Sequence, residues 1–315
     1  MPRLSRPIKI IIACVLLAAL AWGVDWQEMP AHLARLDWVL GGLAVLVVVL
    51  EMPVNAWKWW WSLRLHDLRF SWVYLFRTGC FGFFFNNFLP SGIGGDVYRI
   101  VRTAGREGER SRAVSAVLVE RIVGLAAMLF NGLIGAVLLM RTYDLARWYV
   151  HVAAVGLVAL VLFAGMLYFG AFAGVKRRLL SIRFLEPVWD NLRRIARLRA
   201  EWAPLIATSF LFQLLAAACL YLSFAGTGAT ISVAAALLIT AAAGIASVLP
   251  ISISGIGVVE GSIAGTAVAL GVEYDAAVLA AIIVRLVTLP VSAACGLLYL
   301  TESDALAPGS ARKTS

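Results

Sequence analysis

The chain has 315 residues, 62% of them apolar and only 14% charged, with a formal net charge of +9 and a mean hydropathy of +0.88. A soluble domain carries about 25% charged residues, so the composition excludes an ordinary water-soluble globule and points to one helical bundle in lipid. The basic balance is not a nucleic-acid signal, because the charges are distributed as membrane topology requires.

About 20 apolar residues cross a bilayer as a helix. Segments 8–24, 38–57, 113–140, 148–173, 203–225 and 277–300 fit that pattern, giving six expected spans, while 72–90 and 232–271 are apolar but interrupted. Residues 1–24 also read as a secretory leader, with Arg3, Arg6 and Lys9 before an apolar run ending at Ala19-Leu20-Ala21. Retention as a first helix is the favoured reading, since removal leaves an odd number of spans and disturbs the charge asymmetry. With the N-terminus inside, 21 of the 27 Lys and Arg fall on the cytoplasmic stretches 1–9, 58–71, 99–112, 174–202 and the tail. Only Arg35, Arg141 and Arg147 lie outside, and Arg77, Arg121 and Arg285 lie within apolar segments. The positive-inside rule then places both termini in the cytoplasm of a bacterial inner membrane. Residues 1–303 read as a single transmembrane domain and 304–315 as a polar tail.

In chain order, Glu51 stands beside Pro53 and Asn55 in VLEMPVNAWKWWW. It reads as a helix-end acid near the interface, with an ion- or proton-coupling site as the alternative. Trp57, Trp59, Trp60 and Trp61 with Lys58 read as an interfacial aromatic anchor. The stretch 176–199 alternates basic and apolar residues at helical spacing, as an amphipathic helix on an anionic leaflet does. Cys14, Cys80, Cys219 and Cys295 read as small apolar packing residues, and His32, His66 and His151 have no ligand spacing, so no metal and no cofactor is expected.

The interrupted segments carry an internal repeat. Segment 72–90 leaves one basic loop and enters another, so both flanks favour the cytoplasm. A re-entrant element broken near Asn86-Asn87 and Pro90 satisfies both, since irregular backbone at membrane depth is tolerated only in protein or beside water. Leu89-Pro90 leads through Gly92, Gly94 and Gly95 to Asp96, and Leu249-Pro250 leads through Gly255 and Gly257 to Glu260. Arg121 follows Asp96 by 25 residues, and Arg285 follows Glu260 by 25. The charge count gives the two halves, about 58–141 and 203–300, opposite directions through the membrane. Paired Gly/Pro-interrupted segments in inverted halves mark a transporter's binding site.

Asp96, Glu120, Arg121, Glu260, Arg285 and Glu51 lie within or beside apolar segments. A charge at the centre of a span costs about 2.5–3.5 kcal/mol and therefore faces a partner or water. One reading is a pair of fold-locking ion pairs, Arg121 with Asp96 and Arg285 with Glu260. The other is that both arginines line a polar cavity and meet an anion, for which the guanidinium fork suits phosphate. Broken-helix N-termini after Pro90 and Pro250 offer further N–H donors.

The succession NNFLPSGIGGD with Arg99, Glu120-Arg121, LPISISGIGVVE and Arg285 resembles the lysylphosphatidylglycerol synthase transmembrane region, a flippase-like domain also found as stand-alone YbhN-type proteins. The resemblance covers about residues 8–300. It implies a helical membrane fold with two re-entrant segments and a role in lipid translocation. By motif it carries over Asn87, Pro90, Gly94, Gly95, Asp96, Arg99, Glu120, Arg121, Pro250, Gly255, Gly257, Glu260 and Arg285. Ser254 stands where such proteins often have a second glycine. The two-domain synthases carry a soluble aminoacyl-transferase domain after the membrane part, whereas this sequence has a short polar tail from Thr301, so aminoacylation is not expected.

The expectation is therefore an all-α polytopic bundle with six spans and two re-entrant elements that moves an anionic phospholipid or isoprenoid-type lipid. The candidate substrate-binding residues are Arg121, Arg285, Asp96, Glu260, Glu120, Asn87 and Arg99. The expected partners are anionic membrane lipids, and possible ones a second copy or a lipid-synthesis protein. The rival readings are a small-anion transporter, a lipid-modifying enzyme and a non-transporting partner protein. No catalytic constellation and no Gly-x-x-x-x-Gly-Lys motif is present.

Overall fold

A computed structural model of the protein describes residues 14–15, 17–27, 29–34, 36–88, 94–105, 109–169, 185–197, 202–248 and 253–300. The regular elements among them are helices: α1 (Met29–Ala34), α2 (Trp38–Leu65), α3 (Trp72–Phe88), α4 (Gly94–Thr103), α5 (Glu109–Leu139), α6 (Asp144–Phe169), α7 (Leu185–Ala196), α8 (Ala203–Gly226), α9 (Val233–Val248), α10 (Val258–Ala269) and α11 (Tyr274–Leu300). The all-α bundle expected from composition is the observed class. Five helices, α2, α5, α6, α8 and α11, are long and apolar enough to cross a membrane. Of the sixth expected span, 8–24, residues 14–15 and 17–22 are helical, and 8–13 lie outside the described residues.

The order α2–α3–α4–α5 is matched by α8–α9–α10–α11: a long helix, a helix of 17 or 16 residues, a short helix, and a long helix again. In the first series α3 runs through Asn86-Asn87 without interruption and ends at Phe88, and Pro90 lies outside the described residues. Its length is about 25 Å and that of α4 about 15 Å. The two helices lie antiparallel. Tyr74 near the start of α3 donates its hydroxyl to the Arg102 carbonyl near the end of α4 at 2.7 Å, and the Gly95 N–H donates to Asn86 Oδ1 at 2.9 Å. A Cβ on Gly95 would stand 2.1 Å from the Gly82 carbonyl oxygen, so only glycine lets the backbones approach this closely. The outcome is a helical hairpin whose two ends meet.

The second series makes its turn through Ile253–Gly255, where Ser254 has φ 51°, a left-handed conformation that glycine adopts with less strain. Pro250 lies outside the described residues. Gly257, with φ 80°, caps α10, and its N–H donates to Glu260 Oε2 at 2.7 Å.

Each hairpin packs against the long last helix of the other series. On α5, a Cβ added to Gly135 would fall 2.3 Å from the Ala234 carbonyl of α9. On α11, Ser292 donates to the Phe83 carbonyl of α3 at 3.4 Å, and Cys295 shares a buried cluster with Cys80 of α3. Small residues permit these approaches where lipid supplies no hydrophobic drive between helices.

Three sequence expectations change. Glu51 is not at a helix end: α2 continues through Pro53 to Leu65. The 57–61 aromatic group is not simply an interfacial anchor, because Trp59 and Lys58 are buried. The most exposed tryptophans are instead Trp22, Trp38 in the first turn of α2 and Trp148 near the start of α6. Finally, the described part of 176–199, α7, does not lay its apolar face on lipid. Val188, Leu192 and Ile195 are buried against Leu65, Val119 and Leu205, because an apolar stripe at helical spacing packs on helices as readily as on a leaflet.

Candidate functional site

Asp96 is the third residue of α4 and Glu260 the third residue of α10. The first turn of a helix stabilises a carboxylate through unpaired N–H groups and the helix dipole. Each acid accepts the arginine 25 residues on. Arg121 Nε and Nη2 donate to Asp96 Oδ2 at 3.1 and 2.6 Å, and Arg285 Nε donates to Glu260 Oε1 at 2.5 Å. The pairs foreseen from the spacing are thus formed.

They differ in surroundings. Asp96 and Arg121 belong to a five-charge cluster. Arg99 binds Glu120 through Nη2 and lies 3.5 Å from Asp96 Oδ1 through Nη1, while Lys58 Nζ is 3.4 Å from Glu120 Oε1. The Arg99 guanidinium lies over Trp59 at 4.3 Å, and the Lys58 ammonium over Phe212 of α8 at 4.7 Å. Such cation–π contacts help hold charges that have left water. Within the cluster Lys58, Arg99 and Glu120 are buried, whereas the Arg121 side chain is 56% exposed. The cluster therefore has a sealed floor and one guanidinium turned outward.

Glu260 and Arg285 stand by themselves, 6% and 21% exposed, and Arg285 Nη2 is buried without a hydrogen-bond partner among the described residues. A cavity of about 710 Å³ adjoins Glu260 but not Arg285. Its wall includes Glu260 beside Ala264, Leu286, Val45 and Leu222, and it does not include Asp96 or Arg121. Among the described residues no hydrogen bond or ion pair joins the two arginine–acid pairs.

The other sequence candidates take lesser places. Asn87 donates to the Phe83 carbonyl of its own helix at 3.0 Å, and it is Asn86 that holds the Gly95 N–H. Gly94 opens α4, Gly95 sets the hairpin contact, and Gly255 and Gly257 occupy positive-φ turn positions. Lys58 and Trp59 were missed as site residues. The signal that could have found Lys58 is the polar series Glu51, Asn55, Lys58 and Ser62, which keeps to one helical face of α2.

The matched acid–arginine pairs, the paired hairpins and the long apolar helices recur along nearly the whole sequence. No curated protein matches the chain. The family model described as lysylphosphatidylglycerol synthase TM region matches residues 7–296. The chain belongs to that family of membrane proteins.

Proposed function

We propose that the protein moves an anionic lipid between the leaflets of a bacterial inner membrane, with both termini on the cytoplasmic side. The headgroup phosphate binds first to Arg121 and passes along a polar groove between the halves, while the acyl or isoprenoid chains stay in hydrocarbon. The observation that carries this reading is the Asp96–Arg121 pair, a guanidinium anchored on its inner side and open on its outer side. The exposed edge of that fork offers N–H donors to a phosphate oxygen, which then competes with Asp96 for the guanidinium. Arg285 holds an unpartnered Nη2 for the same chemistry in the other half, and its partner Glu260 lies in the wall of an apolar cavity suited to a chain.

In the empty protein Asp96 and Glu260 take the place of the phosphate, and a bound headgroup competes with them. Rocking of one half against the other then exposes the site to alternate sides. Both acids are committed to guanidinium partners, which fits gating better than acid–base catalysis.

The test is reconstitution of the purified protein into vesicles with a panel of fluorescent lipids, reading leaflet exchange by a membrane-impermeant quencher. Faster exchange of anionic than of zwitterionic lipids is expected. Uptake of a soluble phosphate in place of lipid exchange would instead identify a small-anion carrier.

A further inference from the structure

Along α2 the polar residues Glu51, Asn55, Lys58 and Ser62 follow one another on a single face. The later members of this stripe are satisfied. Lys58 pairs with Glu120 at 3.4 Å, and Ser62 donates to the Ala116 carbonyl of α5 at 2.6 Å. Glu51 is different. It stands in the middle of a 28-residue helix, about 20 Å from either end. It has neither a hydrogen bond nor an ion pair among the described residues, and Lys58, two turns along the same face, is the cation within its electrostatic reach.

The helices packed on α2 offer no closer partner. From α8 the titratable group near Glu51 is Cys219. On α5, Glu120 and Arg121 are engaged by Lys58, Arg99 and Asp96, and Asp96 and Arg99 of α4 belong to the same cluster. On α3 and α11, Cys80 and Cys295 are buried in one apolar cluster and Arg285 binds Glu260, while Arg77 of α3 is exposed. A carboxylate at mid-span without a partner is costly to keep charged. Adding one proton to it removes that charge.

The neighbouring cluster carries three cations, Lys58, Arg99 and Arg121, against two acids, Asp96 and Glu120. It therefore holds one positive charge in excess. An ionised Glu51 cancels that excess along the stripe, and a protonated Glu51 leaves it for an anion. We propose that Glu51 is the proton-carrying group of the transporter, taking up one proton with each singly charged phosphodiester headgroup and releasing it when the headgroup leaves. One O–H bond forms at the Glu51 carboxyl from a proton of the acidic side and breaks again toward the alkaline side. By linkage, proton and headgroup strengthen each other's binding by the same factor. This rests on the lipid-transport reading above.

The experiment uses the full chain in vesicles containing a trace of fluorescent phosphatidylglycerol, with and without a difference of one pH unit across the membrane. The wild type is expected to accumulate the probe in the leaflet facing the alkaline side, about tenfold at one proton per lipid. Glu51→Gln should exchange the probe to the same even distribution under both conditions, and Glu51→Asp, which keeps the carboxyl, should retain the gradient response and so separate titration from folding. Wild-type exchange that ignores the gradient, or a Glu51→Gln variant that still follows it, overturns the proposal and leaves lipid transport standing. Absence of exchange for every anionic lipid overturns both.

Discussion

Asp96 and Glu260 occupy the same place in two hairpins, the third residue of a short second helix, and each is bound by the arginine 25 residues later. The equivalence is geometric, yet the two pairs are not equally sealed. Glu260 and Arg285 are 6% and 21% exposed, against 12% and 56% for Asp96 and Arg121. Removing one member of a sealed pair strands its partner, at a cost of about 3–5 kcal/mol. Glu260→Ala should therefore lower thermal stability in detergent by that order. Asp96→Ala should cost less, because the Arg121 side chain is 56% exposed and Arg99 keeps Glu120 as its partner. Equal losses in a denaturation series would remove the distinction between an open and a closed half.

The first hairpin depends on Gly95. A Cβ there would stand 2.1 Å from the Gly82 carbonyl, a backbone atom with nowhere to retreat, whereas nothing lies within 4 Å of a Cβ added to Gly79 on the same α3. Gly95→Ala should reduce accumulation of folded protein severalfold, and Gly79→Ala should leave it unchanged. Fluorescence-detected size-exclusion of the two variants side by side reads the difference.

Contact between the halves is reported by Cys80 of α3 and Cys295 of α11, which are buried in the same cluster. Aerobic oxidation catalysed by membrane-permeant copper–phenanthroline should join them, each sulfur losing a proton as the pair gives up two electrons to dioxygen. Intact-protein mass spectrometry after alkylation should then find two fewer modified cysteines. If all four remain alkylated after oxidation, α3 and α11 do not meet in this register.

His66, the residue that follows α2, donates from Nδ1 to the Ser62 carbonyl at 2.7 Å and accepts the Ser115 hydroxyl at Nε2, 2.9 Å away. Burial pushes its pKa down from 6.5 to about 4. The unfolded chain thus binds a proton below pH 6.5 that the folded chain refuses until about pH 4, so this contribution to stability is complete above pH 6.5 and is lost as pH falls through that window. Between pH 7 and 5 the loss is on the order of 2 kcal/mol. Thermal melts should show a slope over that range that flattens in His66→Gln.

Much of the bundle was legible because it follows from length and hydropathy: the five long apolar helices fall where runs of about 20 apolar residues predict. The acid–arginine pairs were legible because two identical spacings of 25 residues flank similar Gly/Pro turns. Lys58 and Trp59 were not, since a tryptophan-rich segment with one lysine looks the same whether it faces an interface or a buried arginine. Only tertiary packing put Arg99 over Trp59 at 4.3 Å. Glu51 was misplaced for a related reason. Pro53 signals a helix end locally, but α2 passes through it because its neighbours hold the helix on both sides. The basic tally that oriented the chain included Lys58 and Arg99, both of them buried; without them the cytoplasmic excess is still large.

The central claim is that an outward-facing guanidinium receives an anionic headgroup. Its most direct test is the rate of fluorescent phosphatidylglycerol exchange in vesicles holding wild type, Arg121→Ala or Arg121→Lys, with each protein's folded yield measured alongside. The account predicts a loss of tenfold or more in Arg121→Ala at normal yield, about 1.4 kcal/mol, with partial recovery in Arg121→Lys and no change for a zwitterionic lipid. Undiminished exchange in Arg121→Ala, or a defect that only tracks lost protein, would contradict it.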